Sequence, residues 1–216
     1  MLKCNKGVFS KMKGFILNIR KYKEEDLIVT ILTREKILNL YRFYGARHSS
    51  INLGYKIDFE IEKTVNITIS KLRNIVELAL KYNRDYNKIL IWNQFISLID
   101  MHLRGVEEVD CFYYDLLERI SYAIEKQNPK RACIEGYVSL LAYEGRLHDN
   151  LRCFVCEEAI VDNLALTRSF LPAHTNCVYS KKFDLKKITE FFKTKKLTNL
   201  ADTEVDELWK ILSQGI

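Results

Sequence analysis

Short apolar runs dominate the first third of the chain. Residues 55–62 alternate strictly between apolar and polar side chains, and residues 27–32 form a compact β-branched run. A period of two predicts strands with one buried face. The same kind of pattern recurs in segments 15–17, 37–44 and 65–69. About five short strands predict a small antiparallel barrel, for which an OB-type barrel is the natural size, although an SH3-like barrel would give a similar pattern.

The hydrophobic period changes to that of a helix near residue 72. Apolar stripes over residues 72–79, 89–103 and 112–124 each predict an amphipathic helix. Asn128 is a suitable helix cap, and Pro129 suits the first helical position, so a further helix is expected to about residue 145. Shorter helices are expected at 185–193, after Asp184, and at 205–212, after Thr203 with Asp206 completing a capping box.

These patterns predict an α+β protein, with an OB-fold β-barrel followed by an all-α helical domain. We expect residues 1–71 to form the OB-fold domain and residues 72–216 to form the helical domain. A zinc knuckle over residues 151–180 is expected as an insertion in the second domain.

The knuckle is predicted from four spaced metal ligands. Cys153 and Cys156 form a C-x-x-C pair, and His174 and Cys177 form a second pair with the same two-residue spacer. Such pairs suit one tetrahedral Zn²⁺ ion, and four protein ligands leave no open position for catalysis. We therefore expect one structural zinc that orders a segment with little apolar mass. Chance proximity of buried thiols is the alternative.

Positive charge is concentrated in two segments. The chain has a net charge of +6, but residues 1–50 hold 11 Lys and Arg against 4 acids, and residues 177–200 hold 7 against 2. The composition, with 48% hydrophobic residues and only 8 Gly and 2 Pro, excludes a disordered or collagen-like chain. Clustered cations indicate an anionic partner, although a solvated basic surface has the same pattern.

Aromatic residues accompany the first basic segment. Tyr22 lies between two lysines, and residues 41–44 read Tyr-Arg-Phe-Tyr. Cations that contact phosphates and rings that stack on bases are the features that bind single-stranded nucleic acid. We expect Phe43 in the barrel core, whereas the tyrosines suit either place. Residues 1–71 are therefore expected to form a nucleic-acid-binding domain. From charge, the candidate contacts are Arg20, Lys21, Lys23, Lys36 and Arg42, together with Arg34.

The sequence lacks the common enzyme motifs. It has no phosphate-binding glycine loop and no H-E-x-x-H zinc motif, so we expect no catalytic site. It also lacks an apolar stretch long enough to span a membrane and a secretory signal, so a cytoplasmic location is expected.

Two motifs in the predicted barrel resemble a known family. Thr33-Arg34-Glu35 and Gly45-Ala46-Arg47, within residues 14–47 and ahead of a helical domain with a cysteine cluster, resemble the bacterial recombination mediator RecO. The resemblance covers the domain order of nearly the whole chain. Because Arg34 and Arg47 lie in the matching motifs, they are the DNA contacts that it implies.

The resemblance implies a non-enzymatic, nucleoid-associated DNA-repair protein. Such proteins bind single- and double-stranded DNA, anneal complementary strands and assist the loading of RecA onto strands coated by the single-stranded DNA-binding protein (SSB). The implied partners are therefore DNA, RecR and the C-terminal tail of SSB, with RecA indirectly and no membrane.

Two other functions stay open from the sequence. The chain could be a zinc-stapled scaffold that docks acidic protein partners without nucleic acid. A zinc hydrolase or nuclease would require an open metal position, which four protein ligands do not leave.

Overall fold

The computed structural model describes residues 9–47, 50–62, 69–82 and 85–216. The chain divides into two compact units, Met1–Glu118 and Arg119–Ile216. The first contains five strands, which are β1 (Phe9–Lys23), β2 (Asp26–Leu32), β3 (Ile37–Arg42), β4 (Lys56–Glu62) and β5 (Lys71–Glu77). Helices and short strands follow in the order α1 (Tyr86–His102), α2 (Cys111–Lys126), α3 (Pro129–Tyr143), β6 (Leu164–Leu166), β7 (Pro172–His174), α4 (Thr175–Val178), α5 (Leu185–Thr194) and α6 (Asp202–Leu212).

The five strands close into a barrel in the order β1-β2-β3-β5-β4. All the described pairings are antiparallel except that of β3 with β5, where Tyr41 pairs with Lys71. This is an OB-like barrel, so the predicted fold class of a barrel followed by a helical region is confirmed. Alternate residues of β2 and β4 point inward, and their buried apolar side chains fill the barrel, as at Val29, Ile31, Ile57, Phe59 and Ile61.

The helix predicted over residues 72–79 is wrong, because these residues include most of β5. Residues Asp58 and Glu60 on β4 are two apart, whereas their partners Val76 and Arg73 are three apart. Asn74, at φ 45°, lies within this bulge. The extra residue gives inward positions a spacing of three, which imitates a helical period. The strand predicted at 65–69 lies outside the described residues except for Ile69.

Helix α1 packs on the barrel within the first unit. The Trp92 indole nitrogen donates to the carbonyl oxygen of Gly54 at 2.9 Å, and the Trp92 ring meets Phe15 edge-on at 6.1 Å. Gly54 has φ 77°, and a side chain there would come within 2.5 Å of the Trp92 indole nitrogen. Glycine at this position therefore permits the close contact between the barrel loop and the helix.

The second unit has its own core, with Tyr137, Phe170, Phe191 and Leu140 fully buried. Asn128 accepts a hydrogen bond from the backbone of Lys130 as predicted, with Pro129 at the first helical position.

Asp184 likewise caps α5 as predicted, through the backbone of Lys187. The predicted Thr203 cap is wrong, because α6 begins at Asp202 after the cap residue Ala201, whose N–H donates to the Glu204 carboxylate at 2.7 Å.

Candidate nucleic-acid interface and metal centre

Four aromatic rings gather at one end of the barrel, where β1 turns into β2 and β3 ends. We call Tyr22, Tyr41, Phe43 and Tyr44 the aromatic patch. Tyr41 lies between Tyr22 and Phe43, with ring centroids 5.8 and 4.7 Å away in edge-to-face contacts. Tyr22, Phe43 and Tyr44 are 57%, 43% and 59% exposed. The patch is therefore an ordered group of rings whose faces are accessible to a ligand.

The expected place of Phe43 in the core is wrong. The inward positions of β3 are Leu38 and Leu40, so Tyr41 and the position two residues after it belong to the outer face. β3 ends at Arg42, and Tyr44 adopts a left-handed backbone at φ 49°. Phe43 consequently packs on Tyr41 at the surface rather than inside the barrel.

Three cations lie over the rings of this patch. Lys23 is 5.8 Å from the Tyr22 centroid, Arg47 is 5.3 Å from that of Tyr44, and Lys71 is 5.5 Å from that of Phe43. A cation–π contact at an exposed site contributes only about 0.5–1 kcal/mol, so a phosphate can compete for these side chains. The patch thus combines stacking surfaces with positive charge.

Asp26 fixes two residues of the aromatic patch through hydrogen bonds. Its carboxylate accepts hydrogen bonds from the Tyr41 hydroxyl and from the Tyr44 backbone N–H, the latter at 2.9 Å. These bonds lower the pKa of Asp26, and the same carboxylate raises the pKa of Tyr41 to about 12. The pair therefore keeps its charged carboxylate and neutral phenol across the neutral range.

A short 3₁₀ turn, Gly45–Arg47, is tied to the β1–β2 turn. The backbone N–H of Ala46 donates to the carbonyl of Glu25 at 3.0 Å, and Arg47 Nε lies 2.6 Å from the Glu25 carboxylate. Arg47 consequently stays beside Tyr44 rather than extending freely into solvent.

The seven predicted DNA-binding residues fall into two groups. Lys23 and Arg47 border the aromatic patch, and Arg20 and Lys21 are exposed on β1. The other three, like Arg47 with Glu25, contact polar groups of the protein. These are Arg34 with Asp115 at 2.7 Å, Lys36 with Glu108 at 3.9 Å, and Arg42 with the Leu72 carbonyl at 3.0 Å.

The environment of Arg42 differs most from the expectation. Burial, followed by the neighbouring charge of Arg73, lowers the pKa of Arg42. Arg34, in contrast, is 57% exposed and also lies over the Tyr114 ring at 5.0 Å. The sequence did not reveal Lys71 as a cation beside the aromatic patch, because the segment from residue 72 was predicted to be helical and Lys71 has no aromatic neighbour in sequence.

The four predicted metal ligands come together in the second unit. Cys153 and Cys156 flank a turn, His174 ends β7, and Cys177 lies in α4. Their ligand atoms all lie within 4.8 Å of one another, and Cys156 Sγ is 3.4 Å from His174 Nδ1. These four side chains are close enough to hold one metal ion.

Backbone hydrogen bonds around Cys153 hold the turn that carries two of the predicted ligands. Its carbonyl accepts from the N–H of Glu157 at 2.8 Å, and its N–H donates to the carbonyl of Glu158 at 2.9 Å. The N–H of Phe154 donates to the carbonyl of Pro172 at 3.0 Å, which joins the turn to β7. Glu157 closes the turn with φ 62°, a conformation that favours glycine.

Hydrogen bonding separates the acidities of two of the thiols. Burial raises the pKa of Cys153, but backbone hydrogen bonds from Cys156, His174 and Val155 outweigh it and lower that pKa to about 6. Burial, followed by bonds with Cys153 and Cys156, raises the pKa of Cys177 to about 11. Three sulfurs and one imidazole nitrogen are a donor set that suits zinc in a tetrahedral site.

The two other cysteines in the described part of the chain, Cys111 and Cys133, do not belong to the cluster. Cys133 is fully buried in α3, and burial raises the pKa of its thiol. Cys111 is exposed, and the charge of Asp110 raises its pKa. Cys4 lies outside the described residues.

Lysines of the second basic segment contact acids of their own unit. Lys187 lies 2.9 Å from Glu204, and Lys196 lies 2.8 Å from Glu135. Two further pairs join Lys181 with Glu207 at 3.3 Å and Lys182 with Asp162 at 3.9 Å. Much of the positive charge of this segment is therefore balanced locally.

Comparison with known proteins finds a family match over the barrel. Residues 12–83 match the family model described as RecO N terminal. The match spans the described barrel from Met12 onward and confirms the family resemblance predicted from the motifs there. A search of curated proteins found no match. Within the described ranges, no helix is both long and apolar enough to cross a membrane.

Proposed function

We propose that this chain, whose barrel is a RecO N-terminal domain, is a recombination mediator that binds single- and double-stranded DNA without chemical catalysis. A RecO N-terminal domain indicates a role in recombination and repair. The observation that carries the finer proposal is the aromatic patch, with Lys23, Arg47 and Lys71 over its rings.

The patch suits single strands because its rings are exposed and their positions are fixed. OB folds bind oligonucleotides on the face of their second and third strands and on nearby loops. The aromatic patch lies in this region, at the β1–β2 turn and the end of β3. Stacking of a base on an aromatic ring contributes about 1–3 kcal/mol, whereas cations neutralise phosphates of any sequence. Tyr22, Phe43 and Tyr44 therefore stack on bases, and Lys23, Arg47 and Lys71 contact the backbone.

The other predicted cations extend this surface. Arg20 and Lys21 lie on β1 toward the patch, and Arg34, Lys36 and Arg42 are secondary contacts. Exposed ion pairs such as that of Arg34 with Asp115 contribute only about 0–1 kcal/mol, so a phosphate can replace the acid.

Annealing follows from the neutralisation of two strands at once, which reduces the repulsion that opposes their pairing. We also propose RecR and the C-terminal tail of SSB as protein partners, with loading of RecA as the result and the nucleoid as the location. These partners rest on the RecO domain alone.

We propose that Cys153, Cys156, His174 and Cys177 hold one structural zinc ion. When bound, zinc crosslinks the β7–α4 region to the Cys153 turn and stabilises a loop-rich segment. The protein residues supply all four ligands and perform no chemical step.

Fluorescence anisotropy of a labelled single-stranded oligonucleotide tests DNA binding. If about five phosphates are neutralised, log K falls with log salt concentration at a slope near −3.5. Tyr44→Ala should weaken binding by about 1–3 kcal/mol. Tyr86→Ala removes another exposed tyrosine, on α1 outside the patch, and should leave binding unchanged.

A flat salt response, or equal effects of Tyr44→Ala and Tyr86→Ala, would contradict the proposal. Annealing of two complementary oligonucleotides should also accelerate with the wild-type protein and slow with Tyr44→Ala. Binding of an acidic peptide in the absence of any DNA binding would favour the alternative of a protein-interaction scaffold.

A further inference from the structure

A row of polar side chains crosses the outer face of the barrel next to the aromatic patch. Asn18 on β1 pairs with Thr30 on β2, and Thr30 pairs with Asn39 on β3. Thr30 lies between the buried residues Val29 and Ile31, so its side chain points away from the barrel core. Three hydrogen-bonding groups thus form one line, and two of them lie on the second and third strands, whose face OB folds use for ligands.

This row forms the floor of a cavity of about 500 Å³ within the first unit. Leu17 and Ile37 add apolar surface from the strands, and the segment of residues 103–107 after α1 supplies the opposite wall. That wall is fixed because the N–H of Ile37 donates to the carbonyl of Glu107 at 2.8 Å, and that of Val109 to Glu35 at 2.9 Å. The size is within the range of small-ligand pockets.

The cavity offers both donors and acceptors. Thr30 donates to Asn39 Oδ1 at 2.8 Å, a bond that does not use the amide nitrogen of Asn39. Asn18 donates through Nδ2 to Asp100 Oδ2 at 2.8 Å, a bond that does not use Asn18 Oδ1 or Asp100 Oδ1. Such mixed groups match the edge of a planar, polar ring better than they match a bare phosphate.

The charges of the lining are nearly balanced. Arg20 and Arg104 contribute two cations, whereas Asp100 and Glu107 contribute two carboxylates. The Asp100 side chain is only 15% exposed and lies 4.0 Å from Arg104, which is 73% exposed. The Asp100 carboxylate therefore lies deep in the cavity, and the arginines lie at its rim. This arrangement suits a ligand with a polar ring inside the cavity and an anionic group at the rim.

The cavity continues the aromatic patch along the same strands. Asn39 and Tyr41 are two residues apart on β3 and share its outer face, as do Thr30 and Ile28 on β2. Two residues of strand correspond to about 7 Å. This distance is greater than the 3.4 Å step between stacked bases of duplex DNA. Neighbouring bases, one in the cavity and one on the aromatic patch, must therefore be splayed apart, as in single strands.

We propose that this cavity binds one unpaired nucleobase of a strand held on the aromatic patch, with the phosphate of that nucleotide at Arg20. The inference rests on the proposed function, which supplies the strand. A free nucleotide has the same chemistry, and the test separates it from a base within a strand.

The acceptors in the cavity favour a base with an exocyclic amino group. Asp100 Oδ1 and Asn18 Oδ1 require donors, which adenine N6 and cytosine N4 present, whereas thymine and guanine carry a carbonyl oxygen at the corresponding ring position. The cavity therefore gives the protein a preference for adenine or cytosine over thymine at one position of the bound strand.

Competition anisotropy with a thymine oligonucleotide and with matched oligonucleotides carrying one adenine or cytosine measures this preference. The substituted strands should bind about tenfold more tightly to the wild-type protein. Asn18→Ala and Asp100→Asn should abolish the preference because each removes an acceptor, whereas Asn87→Ala, on the exposed face of α1, should preserve it. Circular dichroism establishes that each variant is folded.

Equal binding of all strands by the wild-type protein, or a preference that survives both cavity variants, would overturn the inference while leaving DNA binding intact. Loss of all oligonucleotide binding would refute the proposed function instead, and the strand-based inference with it. Deoxyadenosine monophosphate that binds as tightly as the oligonucleotide would identify a free nucleotide as the ligand and overturn the assignment to a strand.

Discussion

The barrel and the segment around the cysteine cluster are stabilised in different ways. Inward side chains such as Val29, Ile57 and Phe59 fill the barrel and are fully buried. Around the cluster, Phe154, Val155 and Val161 are about half exposed or more, and the buried strands β6 and β7 have only three residues each. The comparison indicates that apolar packing determines the structure of the barrel, whereas the exposed turn at Cys153 has little packing of its own and, in our proposal, depends on a metal ion held by the four ligands.

Removal of the metal should have the largest effect, confined to one region. Structural zinc contributes about 10–16 kcal/mol to folding in small zinc domains. We expect chelation to expose residues 151–180 to proteolysis and hydrogen exchange while the barrel amides remain protected. Hydrogen exchange with mass spectrometry measures both regions in one sample.

Loss of protection in the barrel upon chelation would contradict this separation. Cys177→Ser, which removes one ligand, should have the same effect as chelation. Cys111→Ser, which changes an exposed thiol outside the cluster, is its matched control and should not.

Truncation of the barrel core should give the reverse pattern. Phe59 is fully buried, so Phe59→Ala should destabilise the barrel by about 3–5 kcal/mol, measured by urea denaturation. Zinc binding, measured by metal analysis of the purified variant, should be retained because the ligands belong to the other unit. Phe59→Leu should cost less, and loss of zinc from Phe59→Ala would show that the two regions depend on each other.

A smaller effect is expected at the turn that carries two of the ligands. Glu157 has φ 62°, so Glu157→Gly should relieve backbone strain and stabilise the metal-loaded protein by up to about 1 kcal/mol in thermal unfolding. Glu158→Gly, at the next position, should not stabilise. Equal shifts in both variants would indicate that the left-handed conformation of Glu157 is not a source of strain.

The smallest effect is expected for the hydrogen bond under the aromatic patch. Because the folded-state pKa of Asp26 is lowered, its contribution is present above its ordinary pKa near 3.9 and declines as the pH falls below it. The raised pKa of Tyr41, about 12, makes the contribution decline again as the pH rises from about 10 through 12.

Denaturation of the wild-type protein and of Asp26→Asn at several pH values measures this contribution. The difference in stability should be greatest between about pH 4 and 10 and should shrink at both ends. A difference that is constant with pH would contradict the assigned pKa directions.

Much of the fold was predictable where local chemistry determines it. The alternation in residues 55–62 predicted β4, and the Asn128-Pro129 pair predicted the start of α3, since both signals depend on neighbouring residues. The bulge at Asn74 concealed β5, because an extra residue changes the period of inward positions. The cap of α6 was missed because Glu204 reaches back to the backbone of Ala201, which has no capping side chain.

The candidate sites were predictable to different degrees for the same reason. The four metal ligands occur in two short motifs, so their convergence followed from spacing. The basic surface did not follow in this way, because the pairing of Arg34 with Asp115 joins positions 81 residues apart. Lys71 reaches Phe43 only through the parallel pairing of β3 with β5, which no local pattern indicates.

That parallel pairing also determines where the barrel closes. β3 and β5 meet at Tyr41 and Lys71, where the Tyr41 N–H donates to the Ser70 carbonyl at 2.9 Å. In the proposed complex, a DNA strand that stacks on Phe43 and contacts Lys71 through a phosphate spans this seam and connects its two sides. Under mechanical load the barrel should then open less readily at the seam when the strand is bound, because ligand binding adds its free energy to closure.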